Sequence, residues 1–358
     1  MNLHILAWPK LKNQKGNPFQ SLLYGSLCER GEVNVTEFGV FQLFFVRQPK
    51  ILHIHWPDVF LATAQGWKFW LKLVFLRVLF VYSRLLGMPI VWTAHNLKRP
   101  GQQNSERMNK YFWPWFATRI DGIIYMTEAS RVSAEEMFDR WRDIPNAIIP
   151  HGHYRPIIDK SPSRSPLKFC SKPQLLFFGS ITKYKNAYQL LDAFLGLPRG
   201  SASLSIKGKM SKVNPDKRLV QCLSTLPPDR KEEIAFNNRF LDDDELIESI
   251  QHSDLVVFPY SDVLNSGAAI FALSVGRPIL ASDTPLFREL QGQVGQQWVR
   301  LIDGELKAKD LAVELKHARE LKALGIRPDL SAFDWKAIAD QTLTFYRQVL
   351  ENGAYKKA

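Results

Sequence analysis

The chain has 358 residues, 46% of them hydrophobic and 23% charged, which excludes a disordered or fibrous protein and allows two domains, each with its own core. Three scattered cysteines, Cys28, Cys170 and Cys222, exclude a disulfide framework and fit a reducing, cytoplasmic compartment. The formal charge of +12 is concentrated in residues 1–165, where 21 Lys/Arg stand against 12 Asp/Glu, so an anionic partner is expected: a diphosphate, an anionic membrane surface or nucleic acid. With no zinc finger or RNP motif in the chain, no nucleic-acid partner is expected.

In chain order, residues 2–7 (NLHILA) open the chain as a strand, with no secretory signal before it. A polar loop holding Gly16 and Asn17 leads to Pro18 and a helix over residues 19–27. Residues 51–56 (ILHIHW) alternate as a strand does, putting His53 and His55 on one face, and end at Pro57-Asp58. Two histidines could ligate a metal, but no third ligand has suitable spacing, so hydrogen-bonded packing is the alternative and no metal is expected. Residues 66–86 are the most apolar and aromatic stretch, yet Lys68, Lys72, Arg77 and Arg84 interrupt it and exclude a transmembrane helix. Either it is a crossover helix buried on the sheet, or its basic, tryptophan-rich face rests on an anionic membrane. Residues 89–93 (PIVWT) form a strand that ends at His95, where α/β enzymes place catalytic groups. A further strand at 120–126 runs into Thr127 and Glu128, and residues 147–150 run into His151. Residues 161–165 (SPSRS) read as a linker, which predicts domains at 1–165 and 166–330, followed by a terminal helix at 331–358.

The second half opens with residues 174–179 (QLLFFG), a strand into a glycine turn that carries Lys183 and Lys185 before a helix at 187–194. Phe240 precedes an acidic helix start, Asp242-Asp243-Asp244-Glu245. Residues 253–283 then read as strand, polar loop, helix and strand. The loop carries Tyr260 and Asp262, and Ser266 caps a helix whose first residue, Gly267, lets backbone approach a ligand. Free N–H groups at such a helix start suit a diphosphate, although an ordinary βαβ unit gives the same pattern.

The order FPYSD, NSGAAIFALSVGRPI, LASD resembles the donor half of GT-B glycosyltransferases, the bacterial family-four-like enzymes of exopolysaccharide and lipopolysaccharide synthesis in particular. IPHGHY is similar to that family's signature at the end of its first domain, and HIHWPD to a strand-end motif on its acceptor side. The resemblance implies two Rossmann-like domains facing a cleft, with a terminal helix, led by Trp335, crossing back to the first. It implies transfer of a sugar from a UDP- or GDP-sugar to a lipid-linked or oligosaccharide acceptor, with no metal and no resident cofactor, on the inner face of the cytoplasmic membrane. Donor contacts would be Lys183, Lys185, Phe240, Tyr260, Asp262, Ser266 and Gly267. The acceptor side would hold Asn17, Thr127, Glu128 and His151, and the catalytic candidates are His95, Asp58 and His55. Two positions depart from the pattern: Ser180 replaces an arginine, and the paired glutamates would fall near Val263 and at Phe271, neither of them acidic. A catalytically inactive GT-B scaffold that binds a partner is therefore the alternative. A Rossmann oxidoreductase is a weaker one, because no G-x-G-x-x-G follows the first strand.

Overall fold

The computed structural model describes residues 3–10, 17–39, 42, 51–62, 64, 66–97, 105–162 and 170–355. Most of the first loop, Gly16 included, and residues 163–165 of the expected linker lie outside them. The chain divides into two compact units, Met1–Gly152 with Phe333–Ala358, and His153–Ala332.

In the first unit the strands are β1 (Leu3–Trp8), β2 (Val33–Glu37), β3 (Ile51–Ile54), β4 (Ile90–Thr93), β5 (Gly122–Tyr125) and β6 (Asn146–Ile148). They form one parallel sheet in the order β2-β1-β3-β4-β5-β6. β3, β4 and β5 are buried along their whole length, as expected of short apolar runs covered on both faces. The helices relevant here are α1 (Phe19–Glu29), α2 (Pro57–Ala62), α3 (Trp67–Leu85) and α4 (Glu128–Met137). The order reverses between β1 and β3, so the crevice of this unit opens at the carboxyl ends of Trp8 and Ile54.

The second unit holds β7 (Gln174–Phe178), α5 (Ala187–Leu195), β8 (Ser203–Lys207), β9 (Ile234–Asn237), α6 (Asp243–His252), β10 (Leu255–Phe258), α7 (Gly267–Val275), β11 (Ile279–Ser282), β12 (Val299–Ile302) and α8 (Ala308–Leu324). Its parallel sheet runs β12-β11-β10-β7-β8-β9, the strand order of a Rossmann domain, and reverses between β7 and β10. Beneath β10 a buried polar knot fixes the chain. Arg277 donates to the carbonyls of Ser253 and Gln251 at 2.8 and 2.6 Å, and Lys322 pairs with Asp254 at 2.7 Å. Burial pushes the Arg277 guanidinium down to about 10, so it stays charged at neutral pH.

The last helix, α9 (Trp335–Tyr355), joins the core of the first unit beside α1 through Trp335, Ile338, Leu343, Phe345, Tyr346 and Val349. Two glycines make room for it. A Cβ on Gly152 would stand 2.3 Å from the Trp335 ring, and one on Gly122 2.7 Å from Val349.

Candidate functional site

Each unit gathers its polar side chains where its strand order reverses. In the second unit, β7 ends at Gly179, whose φ of +109° lies in a region that only glycine enters cheaply. The turn Lys183–Lys185 follows, and Asn186, left-handed at φ 54°, passes the chain into α5. Lys185 comes back toward Gly179, with its Nζ 3.3 Å from where a Cβ would stand and 5.1 Å from the centre of the Tyr260 ring. The turn is tied to the loop after β10, where Ser261 donates its N–H to the Tyr184 carbonyl at 2.8 Å. Ser266 caps α7, its hydroxyl accepting from Ala269 N at 3.2 Å, so Gly267 and Ala268 begin the helix as expected. Tyr260 is buried and its hydroxyl has no partner among the described residues.

Among the described residues no carboxylate pairs with the Lys185 ammonium. Burial alone pushes it down to about 8, which leaves it mostly cationic at neutral pH. A half-buried cation beside a glycine turn, at the switch point and next to a helix N-terminus, is arranged for an anion. The other expected donor residues are more open to solvent. Lys183 and Asp262 are exposed, and Phe240 is 60% exposed ahead of α6.

In the first unit the strand ends carry a buried histidine cluster. His53 Nδ1 lies 2.9 Å from the Tyr24 hydroxyl and 2.6 Å from that of Tyr346, while its Nε2 lies 2.8 Å from Thr93 Oγ1. Tyr24 also reaches His55 Nε2 at 2.6 Å, and His55 Nδ1 meets His95 Nε2 at 2.9 Å. His95 stacks on Trp56 at 4.4 Å and meets the edge of Phe19 at 5.0 Å. Burial pushes His53 down to about 3 and His55 well below the ordinary range, helped by its two histidine neighbours, so both are neutral. Asp58, also buried, sits in the first turn of α2 on the same edge of the sheet.

Each of the remaining acceptor-side candidates has a local contact. Asn17 accepts from Phe19 N at 3.1 Å at the start of α1. Thr127 caps α4 in a reciprocal box with Ser130. Glu128 is held by Arg131, which also keeps its carboxyl below the usual range. His151 packs against Phe19 at 4.9 Å, and burial pushes it down to about 4. Tyr24, Tyr346 and Thr93 escaped the sequence reading, since nothing local marks a core tyrosine as a histidine partner. Phe271, where the resembling family has a second glutamate, is buried against Tyr154 at 4.7 Å. Among the described residues no group of three His, Cys, Asp or Glu could hold a metal, and no helix is long and apolar enough to cross a membrane.

No protein-family model matches the chain. It is 28% identical over 97% of its length to a GDP-mannose:glycolipid 4-beta-D-mannosyltransferase of Xanthomonas campestris pv. campestris, of which it covers 92%. Its backbone resembles sucrose-phosphate synthase from Thermosynechococcus elongatus, with TM-score 0.68 and 15% identity, over 98% of this chain and 100% of that one. It resembles Anabaena HepE in complex with UDP-glucose, with TM-score 0.61 and 16% identity, over 99% and 100% of the two chains. The two Rossmann-like sheets are thus those of the GT-B fold, and the chain, similar along nearly its whole length to a sugar-transferring relative, is a glycosyltransferase.

Proposed function

We propose that the chain transfers a mannosyl residue from GDP-mannose to a hydroxyl of a glycolipid acceptor. The observation that carries this reading is the half-buried Lys185 ammonium, without a carboxylate among the described residues, at the switch point of the second unit. Together with the N–H groups at the start of α7 it would hold the donor diphosphate and stabilise the charge that develops as GDP leaves. GDP and mannose are the donor groups in the name of the Xanthomonas relative. In this reading the Lys185 cation and the helix N–H groups supply the electrostatic stabilisation, without a resident metal or cofactor.

The diphosphate of GDP-mannose is α to the sugar ring, so a β product, as in the relative's name, is an inversion. In a single displacement the acceptor oxygen bonds to C1, the C1–O bond to the diphosphate breaks, and the acceptor proton passes to a base. Phe271 fits this course, since no glutamate stands where the resembling family has its second one. Asp58 and His95, at the strand ends of the first unit, are the candidates for receiving the proton.

The same reading brings the acceptor from a membrane. One face of α3 is buried through Phe69, Leu73, Leu76 and Phe80, while Trp67, Trp70, Leu71, Val74, Val78, Val81 and Leu85 are exposed along the other. Exposed Lys68, Arg77 and Arg84 flank that stripe, and the helix carries no acidic residue. An apolar stripe edged with cations suits an anionic bilayer surface. Thermal melting with GDP, GDP-mannose, UDP and UDP-glucose tests the donor assignment. Guanine nucleotides should raise Tm, by an amount that grows with concentration, and an equal response to all four would remove the GDP preference.

A further inference from the structure

A cation drawn out of water is ordinarily steadied by a carboxylate, which also takes up its N–H donors. Lys185 has no such partner, and among the described residues its ammonium makes no hydrogen bond. It meets an aromatic face instead, with Nζ over the Tyr260 ring, 5.1 Å from the centroid. At that distance the negative face of the ring attracts the cation without using any of its three N–H groups.

The contact is built from both sides. The Tyr260 ring is buried and meets the rings of Phe177, Phe258 and Phe287 at 6.4, 5.3 and 6.2 Å, which leaves it little freedom to turn. Ser261, the next residue, donates its N–H and its hydroxyl to the Tyr184 carbonyl at 2.8 and 3.1 Å. The loop after β10 is thereby tied to the turn that carries Lys185. Gly179 leaves the ammonium its place, since Nζ lies 3.3 Å from where a Cβ would stand. The Tyr260 hydroxyl is buried and has no partner among the described residues, so the ring face is what this tyrosine supplies.

We infer that Tyr260 is a positioning residue of the donor site, whose ring face holds the Lys185 ammonium charged with its N–H groups open to the diphosphate, and not a donor contact through its hydroxyl. The inference rests on the reading of Lys185 as the cation that meets the donor. A carboxylate in the place of the ring would steady the ammonium, but it would repel the diphosphate and compete for the same N–H groups. An aromatic face attracts the cation without that competition.

The test replaces Tyr260 by phenylalanine and by trifluorophenylalanine. Both keep the shape of the ring, and the second withdraws negative charge from its face. Lysine labelled with 13C at Cε reports the Lys185 titration by NMR, the signal being identified by its loss in Lys185→Met. The titratable groups around it are Lys183 and Tyr184 on its own turn and Tyr260 and Asp262 on the facing loop. Burial holds the Tyr260 phenol well above its ordinary range, so it stays neutral throughout. The native midpoint should lie near 8, and the conservative Tyr260→Phe, which retains the ring, should keep it. A weakened face favours the charged form less, so Tyr260→trifluorophenylalanine should titrate roughly 0.5–1.5 pH units lower. GDP affinity, read by titration calorimetry, should fall as the pH rises through the Lys185 midpoint, and this fall should move to lower pH by the same interval. In a Lys185→Met background the two ring variants should bind GDP equally. Equal Lys185 midpoints in the two ring variants would overturn the inference. So would a difference in GDP affinity that persists in Lys185→Met, or a loss of about tenfold in Tyr260→Phe alone, the mark of a hydroxyl contact. The lysine titration needs no nucleotide, so a protein that binds no GDP contradicts the proposed function while the ring contact is still decided.

Discussion

Lys185 and the histidines of β3 are opposite uses of burial. Lys185 is driven down only to about 8 and keeps its charge at neutral pH, whereas His53, driven to about 3, gives its charge up. In the proposed reading the first binds the donor, so Lys185→Ala should weaken GDP-mannose binding about ten- to a hundredfold, the size of one charge-assisted contact, with the melting temperature of the free protein held. Unchanged affinity by titration calorimetry would remove Lys185 from the donor site. The second use has a pH signature. An unfolded histidine binds its proton near 6.5, while the folded values of His53 and His55 lie well below, so the unfolded state holds more protons in that interval. Stability is then complete above about pH 6.5 and is lost as the pH falls toward 3. Between pH 7 and 5.5 the two residues together should remove roughly 2–3 kcal/mol from chemical denaturation, and equal stability at both values would contradict their burial as neutral rings. The local settings of Lys185, Ser266 and His95 were legible in the sequence because glycine turns, helix caps and strand ends have local signatures. Tyr346 was not, since it lies 293 residues from the His53 nitrogen it meets.

Helix α3 and helix α9 show where single-element reasoning holds and where it stops. The sequence left two readings for residues 66–86, burial on the sheet or a basic aromatic face toward a membrane. Burial is visible on one face, and the other, with Val74 and Val78 more than half exposed, remains open for the second reading. Val74→Asp with Val78→Asp should reduce flotation with anionic vesicles while leaving the GDP-induced rise in Tm intact. Flotation equal to the native protein would take the membrane contact away from α3. The start of α9 was legible from Trp335, but the space it needs was not, because a glycine's missing Cβ matters only against a neighbour from a distant part of the chain. Gly152→Ala would bring a methyl group to within 2.3 Å of the Trp335 ring. Overpacking of this kind costs about 1–3 kcal/mol, and an unaltered denaturation midpoint would mean that the ring yields freely.

At the scale of the whole molecule, the alternation of short apolar strands with helices was enough to indicate two parallel sheets. The strand order that places the crevice of each unit had to come from the pairing of β1 with β3 and of β7 with β10. Those two pairings bring together residues that the chain keeps far apart: Lys185 with Tyr260 in one unit, Tyr24 with His55 in the other. Basic charge concentrated in residues 1–165, the exposed stripe of α3 and the cation at the β7–β10 switch point all agree with a donor carrying a diphosphate and an acceptor held in a membrane. The central claim is the transfer itself. Purified protein should be incubated with radiolabelled GDP-mannose and a lipid extract containing a glycolipid with a free sugar terminus. Label should pass into the organic phase as a β-linked mannosyl glycolipid with release of GDP, and the rate should drop sharply in Lys185→Ala. Transfer from UDP-glucose but not GDP-mannose, or an α-linked product, would contradict the account.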